Sequence, residues 1–275
     1  MAILYLDSAD DSRLDVFARL TEHQLRHTTE IESGICIVES EIALRVALKQ
    51  NLKPISFLIS ESKISALSDI IDKLDDDVNV FVLSAQEAQK LTGYRVTRGV
   101  LAAFERPCPK TLDEALKDAS RVCVLEGLVD TSNVGAIFRN AAALGIDSVV
   151  VAPTCADPLC RRSIRVSMGT IFQIPFARPS HRWPYCLFEK LHEYGFYSIG
   201  MALEKESKDL DDPGLKEHDK LALFFGCEGT GLRHNTLEAC DATVMIPMAH
   251  EVDSLNVAAS TAVTFWELNK DKQEG

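Results

Sequence analysis

The sequence predicts an α/β protein in which a C-terminal, mostly parallel sheet follows a small α/β domain. Three observations carry that prediction. Short runs rich in Val, Ile, Leu and Phe alternate with helix-like stretches along the whole chain. The runs at 122–125, 149–152 and 221–225 are continuously apolar, as strands buried on both faces of a parallel sheet require. Pro107 and Pro109 lack backbone donors and interrupt the pattern, so no element runs through them. The expected layout is therefore a small domain over 1–106, a linker with a lead-in helix over 107–119, and a larger domain over 120–275.

In the small domain the pattern predicts strands at 35–38, 56–59, 80–83 and 100–104. Helices are expected at 41–49, 61–74 and 85–91, and the acidic run 75–77 reads as a solvated turn. In the larger domain strands are expected at 122–125, 148–151, 172–174, 197–201, 221–225 and 244–246. Helices are expected at 133–144, 158–166, 183–193 and 256–268. Ligands of such sheets bind beyond the carboxyl ends of the strands.

Composition excludes several classes. Of the 275 residues 46% are apolar and 25% charged, enough to bury a core, which argues against a disordered scaffold. No apolar run approaches the roughly 18 residues of a membrane helix, and no export signal opens the chain, so a cytoplasmic protein without a membrane role is expected. The eight cysteines never form C-x-x-C, which points to reduced, mostly structural thiols with no metal site. With 29 basic against 41 acidic residues the net charge is −12, so any nucleic-acid partner must be met by a local basic patch.

Three segments depart from ordinary strand-loop-helix connections, and each follows a strand. The first runs from Glu126 to Ala142. Asp130, Ser132 or Asn133 could each cap the coming helix, and Arg139 stands on that helix among small and apolar residues, where a guanidinium must meet a carboxylate or an anion. The second, Gly226-Cys227-Glu228-Gly229-Thr230-Gly231-Leu232, has three glycines in the order G-x-x-G-x-G. That is not the dinucleotide order, and Glu228 would repel a pyrophosphate, so a nucleotide-dependent oxidoreductase is disfavoured. The third runs from Ile246 through Pro247 and Met248 to Ser254, Leu255 and Asn256, where Ser254 or Asn256 could cap the last helix.

Together the three resemble the motifs of the SpoU/TrmH family of RNA ribose 2′-O-methyltransferases, of the SPOUT class. N-x-G-x-x-x-R is carried by Asn133, Gly135 and Arg139, G-x-E-G-x-G-L by 226–232, and I-P-M with S-L-N-V by 246–248 and 254–257. The resemblance covers about 120–270. Less strongly, 31–106 resembles the family's small substrate-binding domain, with Gly34 to Glu39, Leu91-Thr92-Gly93 and Arg98 to Ala102 as its marks. Asp253, beside Ser254, is a departure that adds negative charge.

The resemblance implies a trefoil knot, a homodimer whose sites borrow residues across the interface, S-adenosylmethionine as cofactor, and RNA as substrate, with rRNA ahead of tRNA. It places the cofactor against Gly226, Ile246, Met248 and Leu255. Arg139 then faces the ribose oxygen as a charge stabiliser, and Asn133, Ser254 and Asn256 orient ribose and phosphate. Glu228 would hold the loop or pair with an arginine. Arg161, Arg162 and Arg165, with Arg178, His181 and Arg182, are the candidate RNA-facing patch. The alternative is a noncatalytic RNA-binding or assembly factor that keeps the fold.

Overall fold

The computed structural model describes residues 2–17, 34–92, 99–179, 181–250 and 254–269. Gly93 and Arg98 of the small-domain marks, and Asp253, lie outside the described residues. In chain order the first elements are β1 (Ala2–Tyr5), β2 (Ile35–Glu39), α1 (Glu41–Lys49), β3 (Pro54–Ser60), α2 (Ser68–Ile71), β4 (Asn79–Leu83), α3 (Ala85–Thr92) and β5 (Val100–Glu105). There follow α4 (Leu112–Leu116), β6 (Arg121–Leu125), α5 (Thr131–Ala143), β7 (Ser148–Val151), α6 (Arg161–Val166), β8 (Phe176–Ala177) and α7 (Tyr185–Glu193). The chain continues through β9 (Tyr197–Met201), β10 (Lys208–Asp209), β11 (Leu221–Phe225), α8 (His234–Ala239), β12 (Ala242–Met245) and α9 (Val257–Asn269).

These elements form two compact units. One comprises Met1–Pro107 with Asp157–Phe172, the other Cys108–Ala156 with Gln173–Gly275. Residues 157–172, expected within the larger domain, therefore fold with the first unit.

In the first unit the strand order is β1-β4-β3-β5-β2. β1, β4 and β3 are parallel, whereas β5 runs antiparallel to both β3 and β2. Its core gathers Leu14, Phe17, Ile37, Leu58, Phe81 and Leu101. Residues 157–172 bring in a buried ion pair: Arg161 Nε and Nη2 donate to Glu39 Oε2 at 3.2 and 3.1 Å, and both residues are only 3–4% exposed. This corrects the expectation for Arg161, which is a core cation rather than a solvent-facing one. Arg165 is exposed, with Nη1 3.7 Å from the same Glu39 oxygen, and Arg162 is half-buried.

The second unit is one parallel sheet in the order β10-β12-β9-β11-β6-β7-β8. Because every strand points the same way, all the carboxyl ends lie along one edge. One face packs Val122, Val124, Ala222 and Phe224 against Leu187 and Leu191 of α7, with Phe188 stacked on Phe224 at 5.1 Å. On Phe225 the Phe265 ring of α9 sits edge-on at 5.7 Å. Asn140 of α5 ties that helix to α9 by donating to Ala258 O at 2.7 Å and Thr261 Oγ1 at 3.0 Å. Among the described residues no helix is long and apolar enough to cross a membrane, and no group of three or more His, Cys, Asp or Glu could hold a metal ion.

Three expected elements differ, each for a local reason. The strand expected at 172–174 is a 3-10 turn at Thr170–Phe172, and pairing starts only at Phe176, since Pro175 has no N–H to give to the ladder. The helix expected from 158 begins at Arg161, because Asp157 first closes a turn by accepting from Leu159 N at 3.2 Å. The helix expected over 61–74 is broken into 3-10 turns and the four-residue α2. Serines interrupt it, and Ser68 Oγ bonds Ser65 O at 3.1 Å instead of leaving that carbonyl to the helix.

Candidate active site

The site grows from three loops at the carboxyl edge of the second sheet. After β6, Asp130 takes the N-cap of α5 by accepting from Ser132 N at 2.7 Å, which settles the choice among three possible caps. The Asn133 side chain is thereby left for other work. After β11, the loop of 226–232 is pinched shut: Gly231 N donates to Cys227 O at 2.9 Å, and Gly231 adopts a φ of +67°. A Cβ on Gly226 would collide with the backbone of Gly231 and Leu232, so glycine is required there by the loop's own closure. After β12, Asn256 caps α9, its Oδ1 accepting from Ala258 N at 3.0 Å.

These loops meet at one carboxylate. Asn133 Nδ2 donates to Glu228 Oε1 at 2.9 Å, Asn256 Nδ2 donates to the same oxygen at 2.5 Å, and Asn256 Nδ2 also donates to Asn133 Oδ1 at 3.1 Å. Asn256 thus caps a helix and builds the site at once, so the two readings of that residue do not compete. Glu228 pairs with two carboxamides and with no arginine. Its second oxygen, Oε2, has no partner among the described residues.

Arg139 stands apart from this cluster. It lies six residues beyond Asn133 on α5, about 9 Å along the axis and a third of a turn around. It is exposed and makes no hydrogen bond or ion pair with another described residue. A cleft beside Asn256 is lined by Met201, Leu203, Ile246, Met248, Ser254 and Leu255, which brings together three of the four expected cofactor residues. Gly226 does not line it. Leu203 and Leu255 are 63% and 38% exposed, large apolar groups that a ligand's apolar face would cover.

Of the remaining basic residues, Arg178 Nη2 donates to Cys155 O at 2.8 Å and Arg182 pairs with Glu189 at 2.9 Å, both in the second unit. Sequence reasoning passed over Asn140, whose amide locks α5 against α9 and so fixes the helices that carry Asn133 and follow Asn256. Its only signal was a polar residue beside Arg139 on an otherwise apolar helix.

The sequence profile of the SpoU rRNA methylase family matches residues 120–266, the stretch that carries all three loops. An uncharacterised tRNA/rRNA methyltransferase of Mycobacterium bovis is 35% identical over 259 residues, spanning 94% of this chain and 88% of that one. The 23S rRNA (guanosine(2553)-2′-O)-methyltransferase RlmP of Bacillus subtilis is 24% identical over 266 residues, 96% of this chain and 98% of its own. In fold, the chain is similar to an AdoMet-bound rRNA methyltransferase from Sinorhizobium meliloti, with a TM-score of 0.81, 20% identity and 98% of each chain covered. Matched across the whole methylase stretch and along nearly its full length by a close relative, the chain belongs to the SpoU rRNA methylase family.

Proposed function

We propose that the protein transfers a methyl group from S-adenosylmethionine to a ribose 2′-hydroxyl of ribosomal RNA. The observation that carries this reading is the joining of three loops by Asn133, Glu228 and Asn256 beside the apolar cleft of Ile246, Met248 and Leu255. The activities named for the bacterial relatives support it.

The residues present fit the cofactor. Mostly apolar side chains form the cleft walls, and main-chain groups there would read an adenine edge, so Ile246, Met248 and Leu255 would hold it. Bound there, S-adenosylmethionine supplies an electrophilic methyl on a sulfonium. Gly226 contributes by keeping the neighbouring loop closed.

A ribose hydroxyl is a poor nucleophile at neutral pH, so the protein's task is to orient it and to manage its charge. Asn133 and Asn256 occupy Glu228 Oε1 and so fix the carboxylate, leaving Oε2 to accept a hydrogen bond from the hydroxyl and then its proton. The Arg139 guanidinium stabilises negative charge developing on the oxygen. Ser254 and Asn256 position the sugar and phosphate.

The same reading includes a homodimer. Ala259, Val263 and Trp266 form an apolar stripe on the exposed side of α9, with Val263 41% and Trp266 55% exposed, and a second copy covering it would explain why Arg139 is distant from its own chain's cluster. It also includes a trefoil knot formed as the chain leaves β12, which enters the sheet between the earlier β9 and β10, and returns to α9 beside α5. RNA contacts fall to Arg162 and Arg165, and the location is cytoplasmic.

The test is calorimetry on the full chain with S-adenosylmethionine and with NAD. Binding of the first and none of the second is expected, and NAD binding alone would overturn the proposal.

A further inference from the structure

We infer that Glu126 is a positioning residue that holds both ends of the loop carrying Glu228. The residue is 1% exposed, yet it forms no ion pair with any of the described residues. Burying a carboxyl group costs free energy unless its oxygens are satisfied, and here three neutral donors do so. Arg233 N donates to Oε1 at 2.8 Å, and Thr236 Oγ1 and Trp183 Nε1 donate to Oε2 at 2.8 and 2.6 Å.

The two loop ends are gripped through different atoms of this one residue. At the entry, the Glu126 backbone N donates to Phe225 O at 2.9 Å, the last carbonyl of β11. At the exit, the Glu126 carboxyl accepts from the backbone of Arg233, one residue past the loop, and from Thr236 behind it. Next to it Gly127, at a φ of +73°, packs directly against Cys227, with its would-be Cβ 3.6 Å from the Cys227 Cβ. Between the clamped ends stands the apex Glu228-Gly229-Thr230, whose carboxylate meets Asn133 and Asn256.

Two acceptor oxygens are needed. A glutamine has the same shape but one oxygen, so its amide nitrogen would point a donor at either the Arg233 N–H or the Trp183 N–H. Glu126→Gln therefore either breaks the Arg233 bond at the loop's exit or breaks the Trp183 bond that holds the Glu126 side chain in place, while leaving the apolar core unchanged. Glu126 touches neither substrate nor cofactor; it acts through Glu228.

This inference rests on the proposed methyl transfer, and the experiment separates the two. Transfer to ribosomal RNA is measured for the wild type, Glu126→Gln, Glu228→Ala and the double variant, beside amide hydrogen exchange over 226–232 and a melting curve for each. Glu126→Gln is expected to lower kcat on the order of 10- to 100-fold, with KM for RNA changed far less, and to speed exchange in the loop selectively. In the Glu228→Ala background it should cost nothing further. Equal, additive losses in both backgrounds, or loop exchange unchanged from the wild type, would overturn the positioning role. A wild type that transfers no methyl group would overturn the methyltransferase reading instead, and loop exchange would still decide whether Glu126 holds the loop. If Glu126→Gln melts early, Thr236→Val, which removes only one of the three donors, is measured in its place and should show the same loop-selective change.

Discussion

In the proposed mechanism Arg139 and Glu228 divide the work between charge stabilisation and proton acceptance, and the division is measurable. Since Arg139 lines neither the apolar cleft nor the carboxamide cluster, Arg139→Ala should leave S-adenosylmethionine affinity within a few-fold. Its methylation rate should fall by about two orders of magnitude or more, the scale on which a preorganised oxyanion donor acts. Calorimetry and a rate measurement on one preparation check both halves. A second prediction concerns Cys227. The Thr230 hydroxyl, 3.0 Å away, holds its thiol below the usual range, whereas burial pushes Cys155 up to about 11 and, with Asp241 and Glu126 nearby, Cys240 up to about 12. Iodoacetamide at pH 8 should alkylate Cys227 well before Cys155 or Cys240, as peptide mass spectrometry will show. That Asn133, Glu228 and Asn256 lie on three loops, each following a strand, was legible in the sequence through the three motifs. Their mutual bonds were not, since a carboxamide's choice between capping a helix and reaching across to another loop depends on where that loop folds. Arg161 misled for a related reason: its partner, Glu39, lies 122 residues away in sequence and no local pattern announces it.

Among the elements, the loop after β11 is the most demanding. Gly226→Ala places a methyl group into the backbone of Gly231 and Leu232, so the pinch must open. Loss of the Asn133–Glu228–Asn256 cluster and of methylation is expected, at a stability cost of roughly 1–3 kcal/mol, measured by urea unfolding. Helix α6 makes the opposite kind of contribution. Arg161→Ala strands the Glu39 carboxylate in the core of the first unit and should destabilise it by about 3–5 kcal/mol, whereas Arg165→Ala, at an exposed site, should leave stability within about 0.5 kcal/mol. If Arg165 contacts RNA, its removal should reduce the magnitude of the salt slope of binding by roughly 0.7–0.9. The parallel strands β6, β7 and β11 were readable from their apolar runs because both of their faces are covered. The broken stretch over 61–71 and the late start of β8 were not, because single serine hydroxyls and one proline override the apolar pattern there.

For the whole molecule, the net charge of −12 means that an RNA backbone is repelled at long range and can be held only where local cations outweigh the general field. The proposed mechanism also needs the three loops and Arg139 in one place. In the proposed dimer, α9's apolar stripe is what brings two copies together. Mapping 2′-O-methyl positions tests ribose methylation by the protein most directly. Ribosomal RNA from cells lacking this protein is treated with it and S-adenosylmethionine, then hydrolysed in alkali and read for protected linkages. A discrete new protected position with the wild type, and none with Arg139→Ala, is the predicted result. Methyl groups found only on bases, or a protected position that Arg139→Ala produces as fast as the wild type, would contradict it.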